Sequence, residues 1–132
     1  ILVCVTVSSV FAETRKVAYF EVGFTGRKNT FVIKLRDKQR ILEARAFLER
    51  KQPSFGSAVI GRIVKAKVSY NKRWSYHLKP MTISFFELAV EVCDGSPLLV
   101  EKHLEEVGGA LLPGNIWCPW SSYLKREVRR PR

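Results

Sequence analysis

Short runs of alternating apolar and polar residues, cut by glycine, proline and asparagine, dominate this chain, and only two stretches carry a helical repeat. Alternation places every second side chain on one face of a strand, whereas apolar residues three and four apart form a helical stripe. Val17–Phe24 and Thr30–Arg36 read as strands, the second setting Phe31, Ile33 and Leu35 on one face. The intervening GFTGRKN holds two glycines and an asparagine, which suits a hairpin. Asp37 is placed to cap a helix over Lys38–Lys51, with Ile41, Ala44, Leu48 and, one position aside, Phe47 as its apolar stripe. Arg40, Glu43, Arg45, Glu49 and Arg50 lie largely off that stripe, and Pro53 and Gly56 end the helix.

A long strand over Ala58–Tyr70 is expected next, with Ile60, Val64, Ala66 and Val68 on one face and Lys65 and Lys67 on the other. Asn71–Arg73 turns the chain into a shorter strand, Trp74–Lys79, which Pro80 breaks. Ile83–Cys93 follows as a strand, with Phe86, Leu88, Val90 and Val92 facing one way and Glu87 and Glu91 the other. Ser96-Pro97 opens a helix with a capping hydroxyl and proline in the first turn. That helix runs to Val107, burying Val100, Leu104 and Val107, and Gly108-Gly109 stops it. LLPGNIWCPWSS reads as an aromatic loop and Tyr123–Val128 as a last strand before a basic tail. The order β-β-α-β-β-β-α-β, with short turns, predicts an α+β fold: a largely antiparallel sheet of about six strands with two packed helices.

At 132 residues, nearly half of them apolar, the chain fits one domain with a substantial core. Ile1–Ala12 stands apart, being uncharged and ending in Val10-Phe11-Ala12 just before Glu13. It reads as the end of a truncated signal peptide, cleaved after Ala12, with a β-branched first strand as the alternative. It is too short to span a bilayer, and no other segment qualifies. Residues 13–128 then form the domain and 129–132 a basic tail, and the protein is expected outside the cell. Without Cys4, two cysteines remain, Cys93 and Cys118, an even number that points to a disulfide. Two separate thiols or two metal ligands are the alternatives, but only two histidines exist and no CxxC or HxxxH spacing occurs, so neither metal nor cofactor is expected. No N-x-S/T acceptor occurs either.

The net charge of +11 is unevenly spread. From Thr14 to Pro80 there are 17 Lys and Arg against four acids; from Met81 to Leu124 one Lys faces six acids; Lys125–Arg132 adds five basic residues and one Glu. One basic face and one mildly acidic face are implied, and such a field concentrates anionic partners. Nucleic acid fits the charge but not an exported protein.

Four stretches, IGRIV, YNKRWSYHL, SFFELAVEVCD and LPGNIWCPWSS, resemble a family of small bacterial and amoebal proteins commonly labelled calmodulin-binding-protein-like. The resemblance spans about Tyr19–Val128. Many relatives place proline where Lys72 stands here, a departure confined to a turn. The resemblance implies a binding protein with calmodulin as a partner, and it brings neither binding nor catalytic residues.

Three stretches could carry binding. Tyr70–Lys79 interleaves Tyr70, Trp74 and Tyr76 with Lys72, Arg73, His77 and Lys79, a mixture that suits stacking on bases or sugars beside anions. The competing role for Trp74, Tyr76 and Leu78 is core. Pro113–Ser122 sets Trp117 and Trp120 around Cys118-Pro119, as a rigid binding loop, a protease-inhibitor loop, or a lid on the core. Lys38–Lys51 is a cationic amphipathic helix of the type calmodulin wraps, through Ile41, Phe47 and Leu48, although its own sheet needs the same residues.

Enzymatic arrangements are sparse. His77 with Ser121 or Ser122 lacks a G-x-S-x-G context, His103 sits among helix charges, and Glu87 with Glu91 resembles an ordinary solvated strand face. No phosphate loop, dinucleotide fingerprint or EF-hand is present. The chain is therefore expected to bind rather than catalyse, meeting a protein or anionic polymer through Lys65, Lys67, Lys72, Arg73 and Trp74, with Trp117 and Trp120 as aromatic anchors. A secreted protease inhibitor is the alternative, and a small hydrolase the next.

Overall fold

The computed structural model describes residues 17–50, 57–87 and 91–129. The stretch 1–12 read as the end of a signal peptide, Cys4, the expected helix end at Lys51, Pro53 and Gly56, Leu88, Val90 and the end of the tail at 130–132 lie outside them, as does the Glu91 side chain. Within these residues the chain forms β1 (Ala18–Phe24), β2 (Phe31–Leu35), α1 (Lys38–Glu49), β3 (Ala58–Val64), β4 (His77–Leu78), β5 (Ser84–Phe86), α2 (Pro97–Lys102), β6 (Val107–Gly108), β7 (Leu111–Pro113), β8 (Ile116–Trp117) and β9 (Ser122–Val128). The expected α+β class holds, with the sheet divided. One antiparallel sheet has the order β2-β1-β9; in the second, β3 pairs antiparallel with β4, β5 and β8; β6 and β7 form a short parallel pair.

The hairpin β1–β2 pairs Phe20 with Ile33 and Val22 with Phe31, so alternation turns all four into the core. Two serines stitch the sheets together. Ser122 Oγ accepts from Val59 N at 3.0 Å and donates to Pro119 O at 2.6 Å, while Ser57 Oγ accepts from Leu124 N at 3.4 Å. Between the sheets Phe31 meets Trp74, Tyr76 and Trp117 at centroid distances of 6.2, 5.2 and 5.2 Å, geometry in which aromatic pairs add to the burial of their area. α1 starts where its cap predicts, Asp37 Oδ1 accepting from Gln39 N at 2.9 Å. Ile41 and Ala44 are buried, and Phe47 packs edge-on against Phe85 at 5.5 Å. Arg45 donates two hydrogen bonds to the Glu127 carboxylate on β9, at 2.9 and 2.8 Å.

Several expectations are corrected. Among the described residues the strands number nine, most of them short, where about six were expected. β3 stops at Val64, and its buried face is Val59, Gly61 and Ile63, not Ile60, Val64, Ala66 and Val68. Gly61 concealed that face from hydrophobic periodicity: it has no side chain to count, yet a Cβ there would stand 3.3 Å from Ile83 and Leu78. Only His77–Leu78 of Trp74–Lys79 is strand, since the preceding residues wind through a 3-10 turn at Ser69–Asn71. β5 ends at Phe86 and Glu91–Cys93 is a 3-10 turn that leaves Val92 66 % exposed, so no strand runs to Cys93. α2 ends at Lys102, capped by His103, and a 3-10 turn, Leu104–Glu106, follows; Val107 is already extended, so Gly108, at φ +93, lies in β6 and not at the helix stop where it was expected. The aromatic loop contains β7 and β8.

Candidate binding face

The stretch from Lys65 to His77 leaves β3 and lies along β2, the edge of its sheet. The Asn71 side chain holds it there. Buried, Asn71 accepts from Val32 N at 2.8 Å and donates to Tyr76 O at 3.3 Å, satisfying an edge amide that would otherwise stay open. Trp74 Nε1 donates to Thr30 O at 2.8 Å, and Tyr76 Oη to Pro97 O at 3.0 Å. Three residues of the YNKRWSYHL stretch are therefore clamps that fix the loop.

What the clamps leave outside is basic. Lys65, Lys67, Lys72 and Arg73 are all exposed, and among the described residues none of them forms an ion pair. His77 Nδ1 bonds Ala66 O at 2.8 Å, which sets the Lys65–Lys67 turn beside the half-buried Tyr70, whose ring lies edge-on to His77 at 6.3 Å. Tyr70 in turn meets Tyr19 at 5.4 Å, with the Lys34 ammonium 6.0 Å from both rings. Burial, and secondarily Tyr19 beside it, pushes the Tyr70 hydroxyl up to about 12, so it remains a neutral donor at physiological pH. Lys65 and Lys67 thus lie on the turn that His77 ties, Lys72 and Arg73 follow Tyr70 in the same loop, and Tyr70 meets Lys34 and Tyr19, which were not singled out from sequence. Alternation places both on the outward side of their strands, but only the register brings them together.

The expected aromatic contacts divide. Trp74 and Trp117 are 2 % and 1 % exposed and build the core, so neither can meet a partner without opening it. Their indoles are satisfied internally, Trp117 Nε1 donating to Gly95 O at 2.9 Å. The Arg73 guanidinium lies 5.5 Å from the Trp74 ring and covers it. Trp120 is 47 % exposed, just beyond the Cys93–Cys118 disulfide, with its backbone N–H held by Asp94 Oδ1 at 2.8 Å. The loop around it presents little else: Cys118 and Pro119 are buried, and Ser121 O accepts from Thr25 N at 2.9 Å. An inhibitor loop needs several successive exposed residues, and within Pro113–Ser122 they come only in two separate pairs, Pro113-Gly114 and Trp120-Ser121.

The remaining groups are placed as follows. Ser122 is buried with its hydroxyl committed to Pro119 O and Val59 N, so it is not free to pair with His77. Glu87 is exposed beyond β5, off any strand. The helix residues Ile41, Phe47 and Leu48 are docked on the core. Among the described residues no cluster of three metal-ligating side chains occurs, and no helix is long and apolar enough to cross a membrane.

Fold and face together define a disulfide-linked α+β domain with a cationic, tyrosine-bordered surface. Residues 16–131 match the family model described as the BP-74 N-terminal domain, and the chain belongs to that family. No curated protein and no solved structure matches it.

Proposed function

We propose that this domain is an exported binding module that takes an anionic partner, an acidic protein or an acidic polymer, on its basic face. The observation that carries the reading is the group of exposed cations Lys65, Lys67, Lys72 and Arg73, unpaired among the described residues and fixed in place by Asn71, Trp74 and Tyr76 beneath them. Cations arranged this way attract by field and leave specificity to neighbouring groups. The disulfide supports export, because such bonds persist in oxidising compartments. Trp120, the exposed indole, is an aromatic anchor beyond the charged face.

Calmodulin is one acidic protein that such a face could meet. It would have to do so through the surface, because Ile41, Phe47 and Leu48 are buried or half-buried against the core. Titration of the oxidised domain with calmodulin, with and without calcium, separates these cases. Binding that ignores calcium and is lost in the double variant Lys65→Glu, Lys67→Glu is expected. Calcium-dependent binding that survives charge reversal would overturn the surface reading and point to release of α1.

A further inference from the structure

We infer that the outer side of the β2-β1-β9 sheet is a platform for an anionic glycan, a polysaccharide bearing sulfate or carboxylate groups. The inference deepens the binding function proposed above and rests on it. Phe20 and Val22 face the core, so Tyr19, Glu21 and Gly23 of β1 face outward. The register sets Lys34 opposite Tyr19, and Arg126 and Tyr123 of β9 opposite Glu21 and Gly23. With Tyr70 over the Tyr19 end, three of the chain's four tyrosines border this one surface.

Gly23 lets the platform form. A Cβ there would stand 2.6 Å from Tyr123 Cζ, so the Tyr123 ring lies across the bare glycine and covers the strand. Arg126 neutralises Glu21, the one outward acid of β1, at 2.7 Å, and Lys125 beside it is exposed. α1 does not cover this side: its Arg45 binds Glu127, which pairs with the core-facing Phe20.

Flat phenol faces suit the C–H faces of sugar rings, while Lys34 and Lys125 suit their anionic substituents. A protein partner would want an apolar centre, and the aliphatic groups among the described residues here are the half-buried Val32 and Val128, with Val17 at the margin just before β1. A disulfide such as Cys93–Cys118 persists in compartments where glycans, not nucleic acids, are the abundant polyanions.

Titration of the oxidised chain with heparin, with polyphosphate (charge without sugar rings) and with single-stranded DNA tests this. Heparin is expected to bind most tightly. Tyr19→Leu, or Tyr123→Leu should the first fail to fold by near-ultraviolet circular dichroism, is expected to weaken heparin roughly fivefold and leave polyphosphate unchanged. Polyphosphate or DNA binding as tightly as heparin, or folded tyrosine variants that keep full heparin affinity, would overturn the platform. The basic module would then stand if Lys65→Glu with Lys67→Glu still weakened binding. A chain that binds none of the three overturns both.

Discussion

Asn71 shows how a side chain unremarkable in sequence can decide a structure. Its buried amide satisfies Val32 N on one side and Tyr76 O on the other. Removing it strands a part-buried donor and a buried acceptor at once. Asn71→Ala is expected to cost about 1–3 kcal/mol. The midpoint of urea denaturation measures this. Glu21 makes a different kind of contribution. Burial pulls its carboxyl up, but hydrogen bonds from Arg126 and Thr30 and the charges of Arg126 and Lys125 outweigh this and hold it below the usual carboxylate range. A pKa lower in the folded state contributes stability that is present above the unfolded value of about 4.3 and lost as pH falls through the folded one. Glu21→Gln should therefore narrow the gap between melting temperatures at pH 7 and pH 3. An unchanged gap would remove Glu21 from the acid response. Residue roles of this kind were the least legible in sequence. Tyr76, Trp74 and Trp117 could be weighed as core or contact from their spacing alone, and only the packing around Phe31 settled them as core.

Elements were legible where local chemistry decides them. Asp37 and Ser96 cap the helices they were expected to cap, and β1, β2 and β9 lie within a residue of their expected bounds, because capping hydrogen bonds and period-two alternation act over a few neighbours. They became illegible where distant partners decide. β3 buries the parity that contains Gly61, since Leu78 and Ile83 need the space a side chain would occupy. Its shortening at Val64 follows from the turn that Ala66 O makes with His77. Gly108 is the clearest glycine requirement: φ is +93, and a Cβ would stand 2.7 Å from Asn115 Oδ1. Gly108→Ala is thus strained in two ways and should unfold at distinctly lower temperature than the parent, a loss that differential scanning calorimetry reads directly. The Cys93–Cys118 bond closes a 25-residue separation, for which chain entropy gives roughly 3 kcal/mol. Equilibrium unfolding with and without reductant should differ by about that much, and coincident curves would make the bond energetically idle.

Across the whole molecule, charge was the most legible property and the partner the least. Of the excess of Lys and Arg before Pro80, Lys65, Lys67, Lys72 and Arg73 lie exposed on the segment after β3, which folds back along β2 and brings Tyr70 beside Lys34. Sequence could supply the charges but not the register that collects them, nor the burial that removes Trp74 and Trp117 from the contact list and leaves Trp120 outside. The central claim is that this face binds an anionic partner by electrostatic attraction. Trp120, at 47 % exposure, is a natural fluorescent reporter. The most direct test follows its emission while heparin is titrated into the oxidised domain at ionic strengths from about 0.05 to 0.5 M, across which the screening length shrinks severalfold. An affinity that falls steadily with salt, and falls further when Lys65 and Lys67 are both changed to Glu, is the predicted result. An affinity indifferent to both salt and charge reversal would contradict it.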